Sequence, residues 1–145
     1  MGISTKEAVQ LGLLPGKVGK KTSKKPYTCN PVVVSTGIGE GVLVMVKPLS
    51  VNEAWKGQRF QTDRYKRYTR ELLRVLPSIK INEPPYTLTL EFGFSNGASD
   101  IDNPVKCFVD IMQKKYGFND KDITELNIKK KLVDEGKEYI RFSIW

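Results

Sequence analysis

The sequence predicts one small α/β (α+β) domain, in which a mixed sheet and two main helices follow the order β-β-α-β-α-β-β. Three observations predict this class. The chain has 145 residues, enough for one domain with a modest core. Two segments combine an apolar stripe of helical period with cap residues. Five shorter segments are rich in β-branched residues or alternate between apolar and polar residues, as half-buried strands do.

Residues 1–40 are predicted to form a basic extension that precedes the domain of residues 41–145. Ser4 and Glu7 have the spacing of a capping box, so a short helix is expected over residues 4–12. The arm that follows is expected to be flexible because it has too few apolar residues to pack. Its charge comes from Lys17, Lys20, Lys21, Lys24 and Lys25.

Between residues 32 and 77 the sequence predicts a pair of strands, of which the first precedes the domain boundary, and a long helix. The strands are the valine-rich runs 32–34 and 42–46, which a glycine-rich stretch separates as in a hairpin. The helix is expected over residues 63–76, because Thr62 is a good N-cap and Pro77 cannot continue a helix.

The second half is predicted to contain three strands and the other main helix. Residues 87–94 alternate in polarity, as a half-buried strand does. Asn103 is the expected helix cap, Pro104 the first helical residue and Gly117 the end of the helix. Two further strands are expected at 123–133 and 138–144, joined by a turn over residues 134–137.

Composition excludes several kinds of chemistry. The net charge is +8, which favours nucleic acid or an anionic surface as the partner. The chain has no histidine, so a nucleophile must come from a metal-bound water, a lysine or a thiolate. Cys29 and Cys107 form no CxxC pair, which favours a reducing, cytoplasmic location. No apolar run is long enough to span a membrane, so no membrane association is expected.

Five of the seven aspartates lie within 23 residues, at positions 100, 102, 110, 120 and 122. Such a cluster in a basic protein is costly unless a divalent cation compensates it. Asp100 and Asp102 are expected on one side of an extended segment, just before a helix N-terminus. Lys106 and Asp110 follow at one-turn intervals and share a face with Asp102. The pattern predicts Mg²⁺-assisted cleavage of nucleic acid, with Mn²⁺ as the alternative ion. A merely solvated acidic turn is the alternative without chemistry.

The position of Asp120 relative to the other acids is left open by the sequence. It lies beyond a helix of about 12 residues, or roughly 18 Å. Asp120 can meet Asp100 only if the loop folds back or if tertiary packing brings the two segments together.

The string DIDNPVKCFVD over residues 100–110, followed by GFNDKDI over residues 117–123, resembles the RusA-type Holliday junction resolvases of bacteria and their phages. That family carries D-x-D-N-x-x-K-x-x-x-D, then a glycine, a hydrophobic residue and a further aspartate ahead of a strand. Residues 48–52 are similar to its proline-rich, Asn-containing segment. The resemblance covers about residues 41–145. It implies a Mg²⁺-dependent homodimer that nicks two opposing strands of a four-way DNA junction, in recombination, repair or phage DNA processing.

The resemblance also implies roles for individual residues. Asp100, Asp102 and Asp120 look like the three metal-binding acids, and Lys106 looks like a catalytic or phosphate-contacting lysine. Asn119 departs from the family pattern, which often has two consecutive acids there. Asp122 therefore competes with Asp120 for the third place, Asp110 is a further candidate, and one or two metal ions are both compatible with the motif.

Candidate DNA contacts lie in the arm, in the segment that follows the second strand, on the basic face of the first main helix and in the motif. Outside the arm they are Asn52, Trp55, Lys56, Arg59, Lys66, Arg67, Arg70, Arg74 and Asn103. A solvated face is the alternative for the helix, and a tail without a role is the alternative for the arm. Trp55 is either a base-stacking wedge or a packing anchor.

Two other classes of function compete with a nuclease. A non-enzymatic basic nucleic-acid-binding protein would use the same positive charge, with the acids holding a structural ion or nothing. A metal-dependent phosphatase or nucleotide enzyme is less favoured, because the glycine-rich stretch of residues 37–41 is not followed by Lys-Ser/Thr, as a phosphate-binding loop would be.

Overall fold

The computed structural model describes residues 29–35, 41–57 and 60–145, within which the fold is a five-stranded mixed sheet, a two-stranded sheet and three α-helices. This confirms the predicted α+β class. The predicted helix of residues 4–12, the arm lysines and Arg59 lie outside the described residues.

The strands and helices have the following bounds. The strands are β1 (Val32–Ser35), β2 (Val42–Met45), β3 (Trp55–Lys56), β4 (Phe60–Gln61), β5 (Tyr86–Phe94), β6 (Ile123–Leu132) and β7 (Tyr139–Ile144). The helices are α1 (Val51–Ala54), α2 (Asp63–Val75) and α3 (Val105–Tyr116), and Asp120–Asp122 form a 3₁₀ turn. None of the helices in the described ranges is long and apolar enough to cross a membrane.

The strand order in the main sheet is β1-β2-β7-β5-β6, with β5 and β6 parallel and the other pairs antiparallel. The predicted pair β1 and β2 is confirmed, and β1 extends the sheet into residues N-terminal to position 41. The turn after β6 leads to β7, but β5 lies between these two strands. The chain passes over the end of β5 there, where Val133 N donates to Phe94 O at 2.9 Å.

The hydrophobic core lies between the main sheet and the two longer helices. Tyr65, Tyr68 and Leu72 are the buried stripe of α2, as its apolar spacing predicts. Helix α3 packs on the sheet through Phe108, whose ring centroid is 5.5 Å from that of Phe142 on β7. This packing fixes where α3 lies, and α3 carries Lys106.

Local signals fix the ends of the helices. Thr62 caps α2 as predicted, because its Oγ1 accepts a hydrogen bond from Tyr65 N at 3.2 Å. Gly117, with φ of 73°, ends α3 as predicted. The prediction that Asn103 caps α3 is wrong: Pro104 occupies the cap position, without a side-chain hydrogen bond. The Asn103 carbonyl instead accepts a hydrogen bond from Val51 N at 2.8 Å.

Candidate metal and nucleic-acid site

A cleft of about 490 Å³ lies between the N-terminal half of α3 and strand β6. It is lined by Asp102, Val105, Lys106, Val109, Asp120, Ile123, Leu126 and Ile128. Three of the residues that the motif singles out therefore share one surface. Its walls are apolar and its charged groups belong to the motif, so a phosphate or cation bound there would meet few competing polar groups.

Asp120 reaches Lys106 because the chain folds back after α3. Gly117 reverses the chain, and Asp120 N then donates to Gln113 Oε1 at 3.1 Å, which ties the 3₁₀ turn to the last turns of the helix. The Lys106 ammonium lies 3.7 Å from Asp120 Oδ2. It is also 2.7 Å from Asp110 Oδ1, one helical turn further along α3. The sequence left this fold-back open.

The charge of Lys106 is held by its acidic neighbours. The hydrogen bond to Asp110 raises the pKa of Lys106, partial burial opposes this, and the negative charges of Asp110 and Asp120 add to the rise. The side chain is 60% exposed, so a phosphate from solution can reach the ammonium group. Lys106 is thus a permanent cation at neutral pH and does not serve there as a general base.

The other acids of the string lie at different distances from this centre. Asp100 is exposed in the turn that leads to Asp102, and it is not among the residues that line the cleft. Asp122 is half-buried in the 3₁₀ turn and also lies outside the cleft lining. Within the described part of the chain, no three acidic or cysteine side chains converge as a group that could hold a metal ion. The cleft therefore brings together two carboxylates, Asp102 and Asp120, with Lys106.

Asn119, the departure from the family motif, has a structural role. Its side-chain oxygen accepts a hydrogen bond from Lys121 N at 3.1 Å and caps the 3₁₀ turn. An aspartate at this position could make the same cap, so the turn that presents Asp120 does not require the amide.

The turn that carries Asp100 and Asp102 is also bound by Lys130 of β6, which lies on the same face of that strand as Leu126 and Ile128. Its ammonium donates to the carbonyl of Gly97 at 3.0 Å and also to that of Ser99. It lies 5.6 Å from the centroid of the Phe94 ring. No local pattern predicted this contact, because Lys130 stands in a run of three lysines whose strand register was unknown.

A second, smaller pocket of about 240 Å³ lies beside Asn103. Its charged and amide side chains are Lys47, Glu53, Asn96, Asn103 and Glu138. Helix α1 forms part of its wall, and Ser50 and Glu53 make a capping box there. The sequence carries the Ser-x-x-Glu pattern of this box at residues 50–53, but α1 was not among the predicted helices.

The basic residues of α2 are exposed, and the positive charges of Lys66, Arg70 and Arg74 lie near acidic side chains of the same helix. Arg74 Nη2 lies 3.1 Å from Glu71 Oε2, and Arg70 Nε lies 3.8 Å from Glu71 Oε1. Lys66 Nζ is 4.0 Å from Asp63 Oδ1, and Arg67 is exposed.

Helix α2 approaches the aspartate segment through Tyr65, whose pKa is raised to about 12 by burial and further by the charges of Cys107 and Asp110.

The hairpin of β3 and β4 carries two aromatic residues, Trp55 and Phe60, which lie in different environments. Trp55 is half-buried, and its ring centroid lies 6.0 Å from that of Tyr65, which supports the packing anchor. Phe60 lies opposite Lys56 in the hairpin and is 73% exposed. Asn52 and Lys56 are also exposed. Phe60 is thus the exposed aromatic residue of this hairpin, and it was not among the residues predicted from the sequence.

Neither cysteine is exposed, and Cys107 offers no reactive thiolate. Both are buried, and burial raises the pKa of Cys107 to about 11, with a smaller contribution from the charge of Asp110. Since the thiolate is the nucleophile, Cys107 is inert at neutral pH.

The chain matches none of the protein-family models, and no curated protein is significantly similar to it. The resemblance of residues 100–123 to the RusA-type motif therefore stays a prediction.

Proposed function

We propose that this protein is a Mg²⁺-dependent, structure-selective DNA endonuclease of the RusA type, which resolves four-way junctions by paired nicks. The observation that carries the proposal is the shared cleft of Asp102, Lys106 and Asp120. The net charge of +8 favours a polyanionic substrate. A cytoplasmic location and a role in DNA recombination, repair or phage DNA processing belong to the same proposal.

The donor set of the cleft fits Mg²⁺. This ion prefers oxygen ligands and is commonly held by one or two carboxylates, with water and substrate phosphate completing the shell. Asp102 and Asp120 supply two carboxylates, and Asp100 is the third candidate ligand, two residues before Asp102. When bound, the ion would lower the pKa of a water molecule and neutralise charge on the scissile phosphate.

Lys106 supplies positive charge that does not depend on the ion. Before DNA binds, its ammonium compensates Asp110 and Asp120. Because it is exposed and stays protonated, it can pair with a non-bridging phosphate oxygen and stabilise the charge that develops there in the transition state. Asp110 positions this lysine through the 2.7 Å hydrogen bond.

DNA binding is assigned to exposed positive and aromatic groups around the cleft. The α2 face of Lys66, Arg67, Arg70 and Arg74 would contact phosphates, exchanging its bonds to Asp63 and Glu71 for DNA. Asn52, Lys56 and Phe60 would contact the branch region. The arm lysines are proposed to add contacts that do not depend on sequence. A homodimer supplies the two sites that paired nicks require.

A non-enzymatic basic nucleic-acid-binding protein is the second candidate. The absence of a three-acid metal group among the described residues favours it. The acids would then serve only to compensate Lys106 and its neighbours.

Incubation of the full chain with a synthetic four-way junction and Mg²⁺ tests the first candidate against the second. We expect symmetric nicks near the branch point with Mg²⁺ or Mn²⁺, none with EDTA, and little cleavage of a linear duplex of the same sequence. Junction binding without cleavage in either ion would reject the nuclease and leave the binding protein.

A further inference from the structure

Four residues at the cleft are joined in a closed ring of polar contacts. Lys106 Nζ donates to Asp110 Oδ1 at 2.7 Å, and Gln113 Nε2 donates to the same oxygen at 3.4 Å. Gln113 Oε1 accepts a hydrogen bond from Asp120 N at 3.1 Å, and Asp120 Oδ2 lies 3.7 Å from Lys106 Nζ. Lys106 and Gln113 are thus the two residues that bridge the two aspartates.

The ring depends on the spacing of residues along α3. Lys106, Asp110, Gln113 and Gly117 follow one another at intervals of four, three and four residues, so they lie along one face of the helix. Gly117 N donates to Gln113 O at 2.9 Å, where the helix ends. The chain then reverses and brings Asp120 within hydrogen-bond reach of the Gln113 side chain. The backbone of Gln113 therefore starts the fold-back, and its side chain closes it.

The two ends of the Gln113 amide match their partners in a single orientation. The backbone N–H of Asp120 can only donate, so it needs the amide oxygen. The ionised Asp110 carboxylate can only accept, so it needs the amide nitrogen. Turning the amide by half a rotation would set donor against donor and acceptor against acceptor. Both contacts therefore hold the side chain in the same conformation.

Gln113 acts from outside the cleft. It is half-buried and is not among the residues that line the cleft, whereas Lys106 and Asp120 are. Phe118 ties the chain after α3 to the sheet, because its ring centroid lies 5.6 Å from that of Tyr86 on β5. Gln113 ties the following residues to α3, the helix that carries Lys106. The distance between Asp120 and Lys106 therefore depends on Gln113.

We propose that Gln113 is a positioning residue, which holds Asp120 beside Lys106 and so keeps the carboxylates of Asp102 and Asp120 available to one divalent cation. It binds Asp120 through the backbone N–H, which leaves both carboxylate oxygens free of Gln113. Groups that support metal ligands in this way commonly contribute about 10–100-fold to metal affinity or activity. The link to a cation rests on the proposed function, but the positioning of Asp120 does not.

Amide hydrogen exchange at Asp120, followed by NMR in the free protein without metal or DNA, tests the contact itself. Gln113→Met keeps the side-chain length and a similar helix propensity but removes both contacts. We expect Asp120 N–H to exchange about 3–10-fold faster, the usual effect of one lost hydrogen bond. Gln113→Glu keeps the acceptor, so Asp120 N–H should stay protected. Lys114→Met, at the next and exposed position of α3, should leave the exchange unchanged.

Binding of Mn²⁺ alone, measured by EPR without DNA, tests the consequence for the cleft. Gln113→Met is expected to raise the dissociation constant for Mn²⁺ by about tenfold. The substitution does not alter the net charge, so long-range attraction of the ion stays the same. Weaker binding would therefore come from the changed placement of Asp120.

Cleavage gives a third readout, which separates positioning from stability. In a wild type that cuts, Gln113→Met should lower the single-turnover rate by about tenfold. The dissociation constant for an uncut junction in EDTA should stay unchanged. A residue that serves only stability would alter neither value at a temperature where the variant is folded. If Gln113→Met does not fold, Gln113→Asn takes its place with the same expected results, because it keeps the amide but shortens its reach by one methylene.

Two outcomes overturn the proposal. The first is exchange at Asp120 that is equal in Gln113→Met and the wild type. The second is faster exchange with unchanged Mn²⁺ affinity and an unchanged cleavage rate. A wild type that binds Mn²⁺ but cuts no junction rejects the nuclease, and the exchange and Mn²⁺ measurements then decide the role of Gln113.

Discussion

Lys106 Nζ lies 3.7 Å from Asp120 Oδ2, a contact that joins the first turn of α3 to the turn before β6. The same ammonium lies 2.7 Å from Asp110 Oδ1. One cation therefore compensates two carboxylates that different elements supply. The lysine and the last acid of the motif meet only because the chain folds back after α3.

Replacing Lys106 should slow the cleavage of junctions without unfolding the protein. We expect Lys106→Met to lower the single-turnover rate of junction cleavage by about 10²–10³-fold, because the variant has no preorganised cation near the phosphate. Lys106→Arg should recover part of the rate. Lys114→Met removes an exposed charge later on the same helix and should cut normally. Equal rates in Lys106→Met and the wild type would remove Lys106 from the site.

The raised pKa of Lys106 makes a prediction about pH. Since the pKa is raised in the folded protein, the contribution of its ion pairs is complete below the ordinary lysine pKa of about 10.4 and is lost as pH rises through the raised value. The cleavage rate should therefore show no decrease attributable to this lysine between about pH 7 and pH 10. A decrease in that range that disappears in Lys106→Arg would contradict the raised pKa.

The acids should be required for cutting but not for binding. Asp100→Asn, Asp102→Asn and Asp120→Asn are each expected to abolish cleavage and leave junction affinity equal or tighter, because a carboxylate that repels phosphate is removed. Asp122→Asn is the matched control and should cut. Full activity in Asp120→Asn together with inactivity in Asp122→Asn would show that the third acid is misassigned.

The features of the fold that the sequence predicted correctly are those set by residues close by in the chain, such as helix caps and helix-breaking residues. Thr62 and Pro77 bound α2, and Gly117 ends α3, because caps and breakers act within one turn of the chain. The insertion of β5 between β6 and β7 has no local signature. Strand order depends on how α3 crosses over the sheet, which no nearby residue encodes.

The same distinction holds for the site: the contacts between residues close in sequence could be predicted, and those that depend on tertiary packing could not. Asp102 lies in the turn just before α3 and Lys106 in the first turn of that helix, so their spacing in the sequence alone suggests that they are close. Asp120 joins them through Gly117 and the Gln113 hydrogen bond, and the sequence could not select that path over an extended one. The role of Lys130 depends on the register of β6 and was invisible for the same reason.

Trp55 and Phe60 should respond oppositely to truncation. Trp55→Ala removes a ring packed near Tyr65 and should lower the free energy of unfolding by about 2–4 kcal/mol, measured by urea denaturation. Phe60→Ala removes an exposed ring and should leave stability within about 0.5 kcal/mol, while junction affinity decreases. Unchanged affinity in Phe60→Ala would exclude base stacking by this hairpin.

Lys130 should stabilise the turn that carries the acids. Lys130→Met leaves the carbonyls of Gly97 and Ser99 without this donor, and we expect the free energy of unfolding to fall by about 1–3 kcal/mol. The metal concentration that gives half-maximal cleavage should rise, since Asp100 and Asp102 follow directly. Lys130→Arg should restore part of both values, and Lys80→Met, at an exposed loop position, should change neither. Normal metal dependence in a destabilised Lys130→Met protein would limit Lys130 to folding.

The lysine arm is predicted to act through phosphate charge. Truncation of residues 1–28 leaves the buried Cys29 and strand β1 in place, so the remaining chain should fold and keep its cleavage chemistry. Junction binding should weaken, and the slope of log K against log salt should become shallower by about 0.9 for each duplex phosphate that the arm no longer neutralises.

A full-length variant with Gln at positions 17, 20, 21, 24 and 25 separates charge from chain length. It should reproduce the change in slope, because only the charges are removed. Unchanged affinity and slope in both proteins would show that the arm does not bind DNA. Failure of the truncated protein alone to unfold cooperatively on heating would place residues 1–28 in the core rather than in an arm.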